Sequence, residues 1–215
     1  GHLRPIGGNL EFIELEDGTV AHVRDEGNAS GEALVLVHGS NASLHTWEPW
    51  VAMLGDEFRV ISLDLPGHGL TGRTVEDDYS PDGMARFIEA VAGRLGAERF
   101  HLAGNSMGGR VAWIYALEYA ARLNRLILVD ASGFPDPPVV QEETLAFRLA
   151  RTPGIQQLML YFIPRSIFAI SLRDAFADPS LVTDEMITRY HQLQLREGSR
   201  EASIARFKLP REDPR

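Results

Sequence analysis

The chain has 215 residues, of which 44% are hydrophobic and 24% charged, a balance typical of a globular domain. Its net charge of −9 argues against a nucleic-acid partner, which would need a basic surface. No cysteine is present, so disulfides, thiolate catalysis and cysteine-based metal sites are excluded. The most apolar tract, 155–163, is shorter than the roughly 20 residues of a membrane-spanning helix. Because no signal peptide is recognisable either, we expect a cytoplasmic protein without a membrane span.

The chain begins with the pattern of a β-hairpin followed by two buried strands. Residues 10–15 and 19–23 alternate apolar and polar side chains, and an Asp-Gly pair between them is the strongest short signal of a hairpin. Continuous apolar runs follow at 33–37 and 58–63. Such runs are typical of strands covered on both faces, as in a parallel sheet.

Helices and strands then alternate. Ser80-Pro81 is a favourable helix start, and apolar residues recur at helical spacing from there to Leu95. A second helix is predicted over 107–121, and further buried strands are predicted at 100–103 and 126–129. This order predicts an α/β fold, with a mostly parallel sheet, an N-terminal antiparallel hairpin and flanking helices.

The pattern changes at a proline-rich stretch that begins at Phe134. We interpret 1–133 as the core of the fold, 134–207 as a helical insertion and 208–215 as a linker. The insertion shows no strand alternation after 139. Its predicted helices are short and lie at about 141–151, 155–163, 166–177 and 184–207, the last of them broken at Gly198.

The strongest chemical signal is Gly104-Asn105-Ser106-Met107-Gly108, a G-x-S-x-G motif between a predicted strand and a predicted helix. This is the context of a nucleophile elbow, in which glycines allow a tight turn that lifts the serine hydroxyl above the sheet. Ser106 is therefore the candidate nucleophile, and the Met107 N–H at the helix N-terminus is a candidate donor to a developing oxyanion. The alternative is an ordinary serine in a tight turn.

A second motif, His38-Gly39-Ser40-Asn41, follows the first buried strand. Its loop can supply a second oxyanion donor, the backbone N–H of Ser40. We interpret His38, Gly39 and Asn41 as supports of the site, with His38 anchoring the loop rather than acting as a base.

A third motif, D-L-P-G-H-G at 64–69, follows the next buried strand. Pro and Gly build a turn there. Asp64 and His68 could be an acid and a base, but we favour a supporting role for them in the turn and the wall of the site.

Together with V-D-A-S-G at 129–133, these motifs resemble the α/β-hydrolase superfamily, and the resemblance covers about residues 10–210. It implies a serine nucleophile, an oxyanion hole, a histidine base and an acid that orients the base. It also implies that 134–207 forms a cap over the site. We expect no cofactor and no metal.

The chain departs from the family in its last part. The family places the acid and then the histidine after the serine, yet neither is identifiable here. We expect that two β–α units of the family, on the order of 60 residues, are missing from this chain, and thus an α/β-hydrolase fold that is incomplete at its C-terminus, with a bare sheet edge. Residues 208–215 would lead towards those strands, and the C-terminal fragment is a potential partner. Asp130 is a candidate substitute acid, although a supporting role is favoured, and His191 is the only histidine after the serine.

The favoured function is hydrolysis of a small carboxylic ester through a Ser106 acyl-enzyme, by the full-length protein. Because a base is missing, the 215-residue chain alone is predicted to be nearly inactive. One alternative is hydrolysis of a carbon–carbon bond in a ring-cleavage product, since such enzymes commonly share Asn-Ser-Met-Gly. An arginine-lined pocket would favour it, with Arg110, Arg148 and Arg173 as candidates. Another alternative is a non-catalytic, ligand-binding member of the fold.

Overall fold

The computed structural model describes residues 11–134, 152, 154, 161 and 164–209. The chain divides into two compact units, Gly1–Gly133 and Phe134–Arg215. The boundary coincides with the start of the proline-rich stretch. The role of the second unit as a cap remains a prediction.

The first unit is built on one mixed sheet of six strands in the order β1-β2-β4-β3-β5-β6. The four strands β4, β3, β5 and β6 run parallel, while β1 and β2 are antiparallel to their neighbours. This confirms the predicted α/β architecture. The strands are β1 Glu11–Glu14, β2 Val20–Gly27, β3 Ala33–Val37, β4 Arg59–Leu63, β5 Phe100–Asn105 and β6 Leu123–Val129.

The hairpin between β1 and β2 forms where the Asp-Gly pair predicts it. Gly18 has a φ of +83°, a left-handed conformation that glycine adopts without steric cost. The Asp17 carboxylate accepts a hydrogen bond from the Thr19 N–H at 2.9 Å. Local turn chemistry therefore closes this hairpin.

Three α-helices belong to the first unit. They are α1 Glu48–Leu54, which follows a 3₁₀ turn at Leu44–Trp47, α2 Pro81–Arg94, and α3 Met107–Glu118. Helix α2 begins as predicted, because the Ser80 hydroxyl accepts the Gly83 N–H at 3.0 Å.

The core lies around β3, which is buried at all five of its residues. Successive side chains of a strand point to opposite faces, so this burial means that both faces are covered. Leu34 and Leu36 pack with Trp47 and Val60 in one cluster. Residues of α1 cover that cluster at Trp50, Val51 and Leu54.

The expectation that β6 is covered on both faces is wrong. Leu126, Ile127 and Leu128 are 37%, 36% and 40% exposed. The physical reason is position, because β6 is the outer strand of the described sheet and pairs only with β5.

The described part of the second unit, residues 164–209, is helical. It contains α4 Arg165–Ala175, α5 Asp184–Gln194 and α6 Ser199–Phe207. Gly198 has a φ of +82° between α5 and α6, which confirms the predicted break. The helices predicted at 141–151 and 155–163 lie outside the described residues. Of the described helices, none is long and apolar enough to cross a membrane.

Candidate active site

The parallel strands bring the three predicted motifs to one edge of the sheet. Strand β3 lies between β4 and β5. After β3 the chain therefore continues to β4 on one side of β3, and it later reaches β5 on the other side. At such a reversal of strand order, the loops that follow the carboxyl ends diverge and leave a crevice. The motifs at 38–41, 64–69 and 104–108 all follow these carboxyl ends.

Ser106 occupies a strained turn between β5 and α3. Its φ of +52° and ψ of −115° lie outside the conformations that L-residues favour. β5 ends at Asn105 and α3 begins at Met107, so one residue makes the whole reversal from strand to helix. This backbone geometry is the one that a nucleophile elbow requires.

The backbone of Ser106 is held on both sides of the turn. Its N–H donates to the Val129 carbonyl at 2.9 Å, while its own carbonyl accepts the N–H groups of Arg110 and Ser132, each at 3.1 Å. Within residues 11–133 its hydroxyl makes no hydrogen bond. The strain is thus maintained by surrounding contacts while the side chain stays available.

Glycines flank Ser106 for steric reasons. A Cβ added to Gly104 would lie 2.2 Å from the Gly108 carbonyl oxygen, and one added to Gly108 would lie 2.4 Å from the carbonyl oxygens of Val37 and His38. All of these contacts would be with backbone atoms, which cannot move away as a flexible side chain can. The elbow and the loop after β3 therefore pack together only because these positions lack side chains.

The loop after β3 lies directly against Ser106. A Cβ added to Gly39 would be 3.3 Å from the Ser106 Cβ and 3.0 Å from the Asn105 Oδ1. The Gly39 carbonyl accepts the Ala42 N–H at 3.3 Å, and Asn41 has a φ of +55°, so residues 39–42 form a turn. The sequence motif therefore places Ser40 beside the elbow.

Two backbone N–H groups next to Ser106 have no internal partner. Neither the Ser40 N–H nor the Met107 N–H has an acceptor among the described residues. The Met107 N–H is one of the orphan donors at a helix N-terminus, where the helix dipole also favours negative charge. These are the two groups that the sequence predicts as oxyanion donors.

Asp64 is a buried anchor of the neighbouring loops. It is fully buried, and its oxygens accept the Leu44 N–H at 2.8 Å and the Leu70 N–H at 2.7 Å, while the His22 Nδ1 lies 2.6 Å away. Burial raises its pKa, but the hydrogen bonds from His22 and from the Leu70 N–H outweigh burial and hold the pKa below its ordinary value. These contacts support the proposed structural role of Asp64.

His22 is the residue that sequence reasoning missed. It lies in β2 between Ala21 and Val23, and all three residues are buried, so strand alternation does not single it out. The only signal in the sequence that could have indicated His22 is that a buried carboxylate such as Asp64 needs a hydrogen-bond donor.

His38 anchors the oxyanion loop. Its Nε2 accepts the Leu65 N–H at 3.0 Å, and its Nδ1 bonds the Gly39 carbonyl at 2.8 Å. The ring is fully buried and packs edge-on against His68, whose Nδ1 lies 3.0 Å from the Pro66 carbonyl oxygen. This arrangement supports structural rather than basic roles for both histidines.

The remaining histidines are engaged elsewhere or lie outside the described residues. His45 contacts the Ser43 hydroxyl at 3.0 Å, and His101, near the amino end of β5, bonds Glu32 at 2.6 Å. His191 in α5 packs against Phe168. His2 lies outside the described residues. Within 11–133, therefore, no histidine bonds the Ser106 hydroxyl.

Asp130 directly follows β6, one residue beyond the carbonyl that holds the Ser106 N–H. It is exposed and has a φ of +48°. Its role as a substitute acid stays a prediction.

The candidate arginines occupy different parts of the chain. Arg110 lies on α3, one helical turn after Ser106, and its side chain packs beside Gly133. Arg173 is exposed on α4, and Arg148 lies outside the described residues. In the described part of the chain, no three His, Asp or Glu side chains come together to hold a metal ion.

The fold and the elbow together define an α/β hydrolase, and a family model described as "alpha/beta hydrolase fold" matches residues 32–172. The chain belongs to this family.

Curated relatives agree with this assignment. A 2-hydroxy-6-oxononadienedioate/2-hydroxy-6-oxononatrienedioate hydrolase of Paraburkholderia phymatum is 40% identical over 154 residues, which are 67% of this chain and 53% of that protein. A 2-hydroxy-6-oxo-2,4-heptadienoate hydrolase of Pseudomonas putida is 29% identical over 211 residues, 96% of this chain and 71% of that protein. A Mycobacterium tuberculosis protein, Rv2715, is 32% identical over 158 residues, 73% of this chain but only 45% of its own length. The chain thus spans about half to seven-tenths of the length of these relatives.

Solved structures show the same fold. Cfl2 from Burkholderia cenocepacia superposes with a TM-score of 0.84 at 26% identity, over 96% of this chain and 73% of that chain. The meta-cleavage product hydrolase CumD from Pseudomonas fluorescens superposes with a TM-score of 0.74 at 28% identity, over 94% of this chain and 69% of that chain.

Proposed function

We propose that Ser106 is the nucleophile of a serine hydrolase. The observation that carries this proposal is the strained turn at Ser106, whose hydroxyl makes no hydrogen bond within 11–133 and lies near two N–H groups that have no acceptor among the described residues. Strain of this kind costs stability and persists at positions where function requires it. An ordinary serine turn would not need both free donors beside the hydroxyl.

In the proposed reaction, the Ser106 oxygen adds to a carbonyl carbon of the substrate. The carbonyl oxygen becomes an oxyanion, which accepts hydrogen bonds from the Ser40 and Met107 N–H groups. Collapse of this intermediate expels the leaving group and leaves an acyl group on Ser106, which water then removes. The serine proton needs a base. Because no histidine within 11–133 is placed to take it, we propose that the base lies outside this range.

For the bond that is cleaved, we propose the carbon–carbon bond beside the ketone of a 6-oxo-2,4-dienoate. Several relatives carry names of hydrolases for such compounds, and CumD is a meta-cleavage product hydrolase. Attack on that ketone creates the same kind of oxyanion as attack on an ester, so the same two donors serve both reactions. For the carbon–carbon bond, the 2-hydroxydienoate must first become its 2-oxo tautomer, so that the electron pair of the broken bond is delocalised into the 2-oxo acid as an enolate. The base then returns the proton taken from Ser106 to the departing carbon. The sequence-based preference for a small carboxylic ester is therefore the second candidate, and it is supported by the same geometry.

The test compares two substrates, a 2-hydroxy-6-oxo-2,4-dienoate and a p-nitrophenyl ester, with the full-length wild-type protein and its Ser106→Ala variant. Ser30→Ala is a matched control, because Ser30 is exposed and lies outside all three motifs. Consumption of the dienoate that is lost only in Ser106→Ala supports carbon–carbon bond hydrolysis. Consumption of the ester alone favours the second candidate. If neither substrate reacts and an active-site phosphonate does not label Ser106, the protein is a non-catalytic ligand-binding member of the fold.

A further inference from the structure

The direction of the Ser40 N–H, the candidate oxyanion donor, depends on the Gly39 carbonyl in the same peptide unit. The Ser40 N–H and the Gly39 carbonyl belong to one peptide unit, which is planar and trans, so the two groups point in opposite directions. The Gly39 carbonyl accepts two hydrogen bonds, one from the Ala42 N–H and one from the His38 ring. Whatever fixes the direction of this carbonyl therefore fixes the direction of the Ser40 N–H.

The hydrogen bonds of His38 define its protonation state. The Leu65 N–H can only donate, so the His38 Nε2 that receives it carries no proton. The proton of a neutral ring is then on Nδ1, which donates it to the Gly39 carbonyl. If Nε2 carried a proton, two donors, Nε2–H and the Leu65 N–H, would face each other. The hydrogen bond that anchors His38 would then be lost.

Asp64 and His68 are titratable residues that lie beside this ring. The Asp64 Oδ1 lies 3.9 Å from the His38 Nε2, beyond hydrogen-bond distance, and it accepts the Leu44 N–H instead. The other Asp64 oxygen contacts His22, and the His68 ring packs edge-on against His38. The Leu65 N–H therefore selects the tautomer of His38.

We propose that His38 is a positioning residue for catalysis, which aims the Ser40 N–H at the oxyanion by holding the Gly39 carbonyl through its Nδ1 proton. This inference rests on the proposed function, since the Ser40 N–H acts only if Ser106 reacts. A hydrogen bond to the carbonyl also polarises the peptide and strengthens its N–H as a donor. His38 itself does not touch the substrate.

Two variants of the full-length protein separate positioning by His38 from general structural support. In His38→Asn the side-chain amide can replace the Nδ1 donor, whereas in His38→Gln the amide reaches the Nε2 position and can accept the Leu65 N–H without replacing that donor. We expect the rate of Ser106 phosphonylation by a fluorophosphonate to fall about 10- to 100-fold in His38→Gln and to stay within about threefold of wild type in His38→Asn. Equal losses in the two variants, or the reverse order, would overturn the proposal.

A second readout does not depend on activity. The Ser40 amide proton resonance is expected to keep its position in His38→Asn and to move upfield in His38→Gln, because the peptide loses polarisation only in the latter. If wild-type Ser106 is not phosphonylated, the proposed function fails while this measurement still decides the role of His38. Equal shifts in both variants contradict the role. If the variants do not fold, ¹⁵N spectra of wild-type His38 decide it, since an Nε2–H tautomer or a doubly protonated ring overturns the proposal.

Discussion

Replacing Ser106 by glycine should make the protein more stable and abolish its chemistry. The φ of +52° and ψ of −115° at Ser106 cost a residue with a Cβ about 1–3 kcal/mol. Glycine removes this strain but gives the unfolded chain additional freedom, which costs about 0.4–1 kcal/mol. The difference is a net gain of about 1 kcal/mol, within a range of roughly 0–2.5 kcal/mol.

Ser106→Ala is the matched control, because alanine keeps the Cβ and therefore the strain. The Ser106 hydroxyl makes no hydrogen bond within 11–133, so its removal should change stability by less than about 0.5 kcal/mol. The assay is urea unfolding of the wild type and both variants, with the slopes compared to verify that the same surface is exposed. A Ser106→Gly variant no more stable than Ser106→Ala would refute the argument that the elbow is strained.

Three further predictions concern the surroundings of the elbow and the sheet edge. Gly39→Ala should slow phosphonylation of Ser106 more than tenfold while costing about 1 kcal/mol of stability or less, because its new Cβ comes closest to side-chain atoms of Asn105 and Ser106 and reaches the Asn105 carbonyl oxygen only at 3.4 Å. Asp64→Asn should lose about 3–5 kcal/mol at neutral pH, because three donors face the buried carboxylate. Since the fold lowers the Asp64 pKa, this stabilisation is present above the ordinary aspartate pKa of about 4 and is lost as pH falls below it. The unfolding free energy of Asp64→Asn should therefore fall less steeply with decreasing pH below about 4 than that of the wild type. Leu128→Lys should change the melting temperature little, because this side chain is 40% exposed on the outer strand of the described sheet.

Each of these predictions has its own control. Gly93→Ala adds a Cβ that meets nothing within 4 Å and should leave phosphonylation unchanged. Asp56→Asn changes an exposed aspartate and should leave the pH profile as it is. Phosphonylation of Gly39→Ala at the wild-type rate would contradict the close packing of the loop on Ser106. An Asp64→Asn variant with wild-type acid sensitivity would contradict the role of the buried carboxylate, and a large fall in the melting temperature of Leu128→Lys would contradict the exposure of β6.

The sequence predicts features whose cause is local. The hairpin follows from the left-handed Gly18, the start of α2 from the Ser80 cap, and the elbow from the steric need for Gly104 and Gly108. In each case, residues close together in the chain determine the backbone. The placement of Gly39 against Ser106 also follows, because both motifs come directly after neighbouring parallel strands.

Features that depend on distant partners were harder to predict. Burial of β6 was predicted wrongly, because an apolar run has the same composition at the edge of a sheet as at its centre. The contact between His22 and Asp64 joins residues 42 positions apart, and nothing near His22 in the chain indicates it. The tautomer of His38 depends on an N–H group 27 positions away.

The most direct test of the central claim uses the full-length protein, because the proposed base lies outside 11–133, and maps its peptides by mass spectrometry after incubation with a fluorophosphonate. We predict a single phosphonyl adduct on Ser106 and no adduct in Ser106→Ala. A wild-type chain that gains no adduct, or gains one on another residue, would contradict the assignment of Ser106 as an activated nucleophile.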